Sequence, residues 1–281
     1  MLDINKLREE FEEELINFRR DLHMYPELSF KEFRTTKKIK EELKKLDIEI
    51  IDLGMETGAV GLLRGKEDGP TIALRGDIDA LPIQELNHVP YKSRIDGVMH
   101  ACGHDIHTTC VLGAAKILSK IRDQLKGNAM FVFQPAEEIN KGAKLMVEKG
   151  LFTKVKADMI FGLHNNPEIP WGKIAIKFDL PAVYNSPEMT ELAYKAAEEI
   201  VGREGIVDPV PTMGGEDFSI FMEKIPGFFF WLGVGNEEKG MNYVWHNPRF
   251  NGDERAIIVA ATVMSNMVLH GIEYVNRNKR E

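Results

Sequence analysis

Short apolar runs alternate with longer stretches of helical periodicity along most of this 281-residue chain, and that alternation restricts the possible folds more than any other feature. The strand-like runs are Gly58 to Leu63, Thr71 to Leu74, Ala129 to Phe133, Met159 to Leu163, Lys173 to Ile176 and Phe228 to Leu232. Leu7, Phe11, Leu15, Phe18 and Leu22 recur at helical spacing and predict a first helix ending before Pro26. Further helices are predicted over Phe33 to Leu46, Ile106 to Ile121, Lys141 to Lys149, Glu188 to Val201, Phe218 to Lys224 and Glu254 to Tyr274. Strands separated by helices predict an α/β fold in three layers, a central mixed and mostly parallel sheet flanked by helices. The chain shows no internal repeat and no low-complexity segment, so residues 1–281 are expected to form a single domain.

In open α/β sheets, ligands bind beyond the C-terminal ends of the strands. Asp77 and Asp79 follow the strand that starts at Thr71, Glu137 and Glu138 follow the one that starts at Ala129, and His164 closes Met159 to Leu163. Three strands thus deliver metal-capable residues to one edge. Between them lies Met99-His100-Ala101-Cys102-Gly103-His104-Asp105-Ile106-His107. Thiolate and imidazole suit zinc and other borderline divalent ions. Gly103 lets the backbone turn so that Cys102 and His104 point at one site, and Asp105 is placed to cap a helix beginning at Ile106. His107 on that helix is open to a substrate or supporting role. In Gln134-Pro135-Ala136-Glu137-Glu138, adjacent side chains diverge, so one carboxylate can hold metal while the other takes a proton from water. Solvated charge is the plainer explanation for such a pair. Asp77 and Asp79 share one face of an extended segment, where an acid can orient a ligating imidazole. Gly214 and Gly215 precede a predicted helix, whose start would favour a substrate carboxylate. His246, in a loop before Asn247-Pro248, would not be chosen on these grounds alone.

Composition excludes other classes. Thirty-six Lys and Arg against 44 Asp and Glu give a net charge of −8, which disfavours nucleic acid as a partner. Two cysteines make no disulfide framework. Charges run through Met1 to His23, and no window of eighteen apolar residues is present, so neither a signal peptide nor a membrane span is expected. The expected location is the cytoplasm.

In this order the motifs resemble those of the M20 metallopeptidases, more narrowly the amidohydrolase branch that deacylates N-acyl amino acids, hippurate and auxin conjugates. The likeness runs from Arg19-Arg20-Asp21-Leu22-His23 through Arg75 to Pro82, His100 to His107, Gln134 to Glu138, Gly162 to Asn165 and Gly214 to Phe218 to His246. It implies a zinc-exopeptidase-like domain with two divalent ions (zinc, manganese, cobalt or nickel) held by Cys102, His104, Glu138, His164 and His246. Cys102 would bridge them, Glu137 would be the general base, and Asp77 the supporting acid with Asp79 its rival. The substrate would be a small N-acyl amino acid or short peptide.

Enzymes of this kind carry an inserted lid domain that supplies a histidine and often a dimer interface. Here only residues 178–187 separate the strand at Lys173 from the helix at Glu188, and His164 is followed by no histidine before His246. The expectations are a lidless core, weak activity and a monomer. A di- or carboxypeptidase, or a metal-binding protein that no longer catalyses, remain as alternatives.

Overall fold

The computed structural model describes residues 4–176, 179–180, 183–208 and 215–279. An eight-stranded sheet forms its centre. Its strands are β1 (Glu49–Ile50), β2 (Ala59–Arg64), β3 (Thr71–Asp77), β4 (Asn128–Gln134), β5 (Met159–Pro170), β6 (Ile174–Ala175), β9 (Ile206–Val207) and β10 (Gly227–Gly235). They lie in the order β1-β2-β4-β3-β5-β10-β6-β9. The four central strands, β4-β3-β5-β10, are mutually parallel, while β2 and β6 join them antiparallel.

The central strands are buried on both faces, which is why they read as unbroken apolar runs. Ile72, Leu74, Phe131, Phe228 and Phe230 face the larger core with α1 (Ile4–Met24), α2 (Phe33–Lys45), α3 (His104–Lys120), α6 (Pro187–Val201) and α8 (Arg255–Asn278). Ala73, Met130, Val132, Phe229 and Trp231 face the smaller core with α4 (Gly142–Glu148), α5 (Leu151–Lys154) and α7 (Ser219–Met222). The three-layer expectation is met, and the expected helices and strands are present, most with ends within a few residues of those expected.

α3 is buried along almost its whole length, clamped between the sheet, α1 and α8. α8 is long and apolar enough to cross a bilayer by length and mean hydropathy, although polar residues interrupt its apolar run. However, 78% of its most apolar window is buried inside the fold, against α1, α3 and α6.

Three local expectations fail. α3 begins at His104 rather than Ile106 because Gly103, at φ +84°, starts it. The Asp105 carboxylate therefore lies inside the first turn, where one oxygen accepts the Ile106 N–H at 3.1 Å and the other meets Arg19 and His23 at 2.8 and 2.7 Å. The helix expected from Phe218 shrinks to the four residues of α7, so Gly215 is not at a helix start, and Gly214 lies outside the described residues. Finally, β5 does not stop at Leu163 but continues through His164 to Pro170.

The segment expected to stand in place of a lid is partly described. β7 (Asp179–Leu180) pairs antiparallel with β8 (Val183–Tyr184). Asn185 then exchanges two hydrogen bonds with the backbone of Phe229 in β10, and Ser186 caps α6 by accepting from the Met189 N–H. The remaining residues of that segment lie outside the description.

Candidate metal centre

Parallel pairing puts the C-terminal ends of β3 and β4 on one edge beside the middle of β5, with Asp77 level with Gln134 and Arg75 level with Gly162. Asp77, Asp79, Glu137, Glu138 and His164 rise there, and the start of α3 adds Cys102 and His104. Cys102, His104 and His164 offer ligand atoms all within 4.8 Å of one another, and so do Cys102, Glu138 and His246. The two groups share only the Cys102 sulfur. A third group is His104, Glu137 and Glu138, and a fourth is Asp77, His104 and His107.

The spacing fits cations better than direct contact. His104 Nε2 stands 3.7 Å from both Glu137 Oε2 and Glu138 Oε1, and His246 Nε2 is 3.6 Å from Glu138 Oε2. Those gaps are too long for hydrogen bonds. They are close to the separation of about 3.4 Å expected between ligands of one tetrahedral ion. His104 Nε2 and Glu138 Oε1 are buried without a hydrogen-bond partner, a costly state unless something else binds them. The donor set of one thiol, three imidazoles and a carboxylate suits zinc-like ions.

Neighbours aim these groups. His104 Nδ1 donates to Asp79 Oδ1 at 3.1 Å, which leaves Nε2 with its lone pair toward the centre. His164 Nδ1 donates to the Asn165 carbonyl at 2.8 Å and turns Nε2 to Cys102 Sγ, 3.3 Å away. Asn165 also holds the surrounding loops, donating to the Cys102 carbonyl at 2.6 Å and accepting from Trp245 Nε1 at 2.9 Å. His246, though remote in sequence, arrives because its N–H donates to the Ala101 carbonyl at 2.9 Å. Its φ of +61°, like the +55° of Ala136 before the Glu pair, is backbone strain of a kind that gathers at functional sites.

The sequence pattern of peptidase family M20/M25/M40 matches residues 73–270, more than half of the chain. The chain belongs to peptidase family M20/M25/M40. It is thus a metal-dependent hydrolase. Among M20-family relatives, it is 46% identical to an N-acetyl-L-cysteine deacetylase of Bacillus subtilis, with 92% of this chain and 90% of that protein covered. It is 32% identical to an N-acetylcysteine deacetylase of the same organism, over 94% and 98%. Both alignments run over about a hundred more positions than this chain has residues, so these relatives contain sequence with no counterpart here. A solved Bacillus subtilis structure described as a dinuclear metal-binding peptidase of the M20 family superposes with a TM-score of 0.85. It is 33% identical, and 94% of this chain and 99% of that one are covered.

Electrostatics in this M20 site follow from burial. Burial, reinforced by Glu216, pushes the Glu137 carboxyl up to about 10, and Glu138 is raised as well. Burial would raise Asp77 too, but Arg75 with His104 and His107 holds it well below the usual carboxylate range. His164 is lowered by burial, then by His107, which favours the neutral imidazole. Nearby cations invert such trends for carboxylates.

His107, left open between a substrate and a supporting role, is fully buried with both ring nitrogens engaged. Nδ1 donates to Asp77 at 2.6 Å, and Nε2 accepts the Asn165 N–H at 2.9 Å. Asp77 and Asp79 thus serve different histidines, with Asp79 on His104. Gly215 is exposed near Asn140, its built-out position 3.9 Å from the Asn140 side chain. Sequence reasoning missed Arg75 as an anchor. Fully buried, it meets Asp77 at 2.8 Å, Glu216 at 3.0 Å, Asp217 at 3.1 Å and Gln134 at 2.8 Å. Its position two residues before Asp77 on a buried strand was the available signal. Glu32 was also missed. It accepts the Ala136 N–H at 2.9 Å from beneath the Glu pair, and no local pattern marked it.

Proposed function

We propose that this protein hydrolyses the amide bond of N-acyl amino acids or similar small amides, with two divalent ions held by Cys102, His104, Glu138, His164 and His246. The observation that carries this reading is the Cys102 sulfur common to two three-residue groups, as a bridging thiolate between two ions requires. The named activity of the two deacetylase relatives supports the substrate class.

Bound ions would supply Lewis acidity, polarising the scissile carbonyl and making water a nucleophile at neutral pH. Glu137 lies against the same centre, 3.7 Å from His104 Nε2, and is largely shielded from solvent. In this reading it takes the proton of the attacking water and passes it to the departing amine. Asp79 keeps the His104 ring in place, while Asp77, fastened to Arg75, keeps His107 and through it Asn165 in place.

We take the segment 178–187 to stand where similar enzymes insert a lid. Without a lid histidine the developing oxyanion has one donor fewer, a loss worth roughly a hundred- to a thousandfold in rate. Weak hydrolysis by a monomer is the expectation, and light scattering checks the second part. The test of function is release of acyl groups from acetyl-, benzoyl- and indole-acyl amino acids with manganese, zinc, cobalt or nickel added. Equal release by wild type and Glu137→Gln would favour a metal-binding protein that does not catalyse.

A further inference from the structure

Residues 27–32 carry none of the candidate ligands, yet they are tied at three points to the segments around the centre. The Ala80 N–H donates to the Glu27 carbonyl at 2.9 Å, and Leu28 pairs with Ala80 in a parallel bridge. The Ser29 hydroxyl donates to Asp79 Oδ2 at 2.7 Å. The same oxygen accepts the Glu138 N–H at 3.1 Å, while Asp79 Oδ1 accepts from His104 Nδ1. Glu32 Oε1 accepts the Ala136 N–H at 2.9 Å, one residue before Glu137. The segment is itself fastened, because the Glu27 carboxylate accepts the N–H groups of Arg34 and Thr35 at the start of α2, at 3.0 and 2.8 Å. Both sides of this clasp are strained. Phe30 sits at φ +60°, Ala136 at +55° and Asn140 at +52°. Left-handed backbone at such residues persists only where neighbours hold it. Glu32 is also fully buried, and its Oε2 has no hydrogen-bond partner. An acid so placed costs the fold more than an apolar side chain of the same size, so what it contributes is its bond to the Ala136 N–H.

We propose that Ser29 and Glu32 are positioning residues, acting through Asp79 and Ala136 to set Glu137 and Glu138 relative to the ions. The part that concerns rate rests on the hydrolase reading above. Ser29 steadies the Asp79 carboxylate, which both aims the His104 ring and holds the Glu138 backbone. Glu32 steadies the strained turn from which Glu137 and Glu138 leave. Loss of either bond loosens the set that holds the ions. Loss of the Glu32 bond also displaces the base. One hydrogen bond of this kind corresponds to about two- to tenfold in affinity. Misplacing a reacting group by about an ångström costs on the order of a hundredfold in rate, so a partial shift of Glu137 is expected to cost about tenfold or more.

The test compares Ser29→Ala with Ser29→Thr, and Glu32→Met with Glu32→Gln, in the full chain. Thr keeps the hydroxyl, and Gln keeps an oxygen that can accept the Ala136 N–H, whereas Ala and Met keep neither. Manganese affinity is read by calorimetric titration, and kcat and KM are read on N-acetyl- and N-benzoylglycine at saturating manganese. Expected for Ser29→Ala and Glu32→Met is manganese binding weakened about two- to tenfold. Glu32→Met is expected in addition to lose about tenfold or more in kcat with an unchanged KM. Ser29→Thr and Glu32→Gln should restore most of each loss. Unchanged manganese affinity in Ser29→Ala or Glu32→Met overturns the assignment of that residue. So does a loss that the conservative variant shares in full, since the hydrogen bond would then not be what positions the centre. If the wild type hydrolyses neither substrate, the hydrolase reading fails, and the manganese affinities of the four variants still decide whether this segment sets the centre.

Discussion

Glu137 and Glu138 are neighbours in sequence, yet the backbone turns at Ala136 so that both approach His104 while only Glu138 also reaches His246. That asymmetry separates their roles. Glu137→Gln is expected to lower the hydrolysis rate by roughly a hundred- to ten-thousandfold while the protein still takes up its ions, read by paired kinetics and metal analysis. Asp79→Asn is expected to weaken metal binding by about ten- to a hundredfold, because the His104 ring loses the carboxylate that aims it. An isothermal titration that finds unchanged affinity would remove Asp79 from the site. Beneath the pair, Glu32 is pushed up to about 7 from an ordinary 4.5 by burial, with the charge of Asp79 adding to the effect. Between those values the folded chain holds a proton that the unfolded chain has released. Stability contributed there is full below pH 4.5, declines as the pH rises to 7, and is flat above. The difference in unfolding free energy between wild type and Glu32→Gln should therefore change by on the order of 3 kcal/mol over that window, measured by urea melts at a series of pH values.

At the scale of elements, the junction of the Cys102 loop and α3 is the most constrained. Gly103 adopts φ +84°, and a Cβ there would lie 2.4 Å from Asn165 Nδ2. Gly103→Ala is expected to cost about 1–3 kcal/mol in stability and also to weaken metal binding, because Asn165 can yield only by releasing the Cys102 carbonyl. Urea midpoints with and without metal would separate the two effects. The same junction shows what was legible in the sequence. Strands buried on both faces declare themselves as apolar runs, so β3, β4 and β5 were readable, and with them the edge that carries Asp77, Glu137 and His164. The position of His246 was not readable from local pattern. It depends on a hydrogen bond to Ala101 and on the Trp245–Asn165 contact, both between segments far apart in the chain, and only the resemblance marked it. The misplaced start of α3 has a similar cause. Asp105 reads as a cap by residue type, but Gly103 starts the helix two residues earlier, and Asp105 divides its oxygens between the Ile106 N–H and the Arg19–His23 pair across the core. His107 likewise looked available until Asp77 and Asn165 were seen to use both of its nitrogens.

For the molecule as a whole, the centre joins parts that otherwise touch through few covalent neighbours: the end of β4, the middle of β5, the start of α3 and the loop before α8. Ions that bind only this arrangement must stabilise it, because the unfolded chain does not bring Cys102, His164 and His246 together. At a hundredfold excess over the dissociation constant, each ion adds about 2.7 kcal/mol. For a chain of this size that corresponds to a rise of roughly 5–10 °C in melting temperature. Chelation should reverse it, and calorimetric scans with manganese, with zinc and with chelator test this directly. The two cysteines provide an internal control. Cys110 is buried in α3 and belongs to none of the metal-capable groups found among the described residues, so Cys110→Ser should keep the metal-dependent shift even if the starting stability changes. Cys102 belongs to both halves of the centre, so Cys102→Ser should abolish most of the shift rather than half of it. Retention of half the shift in that variant would mean two independently held ions, and the shared sulfur would then not be the link between them.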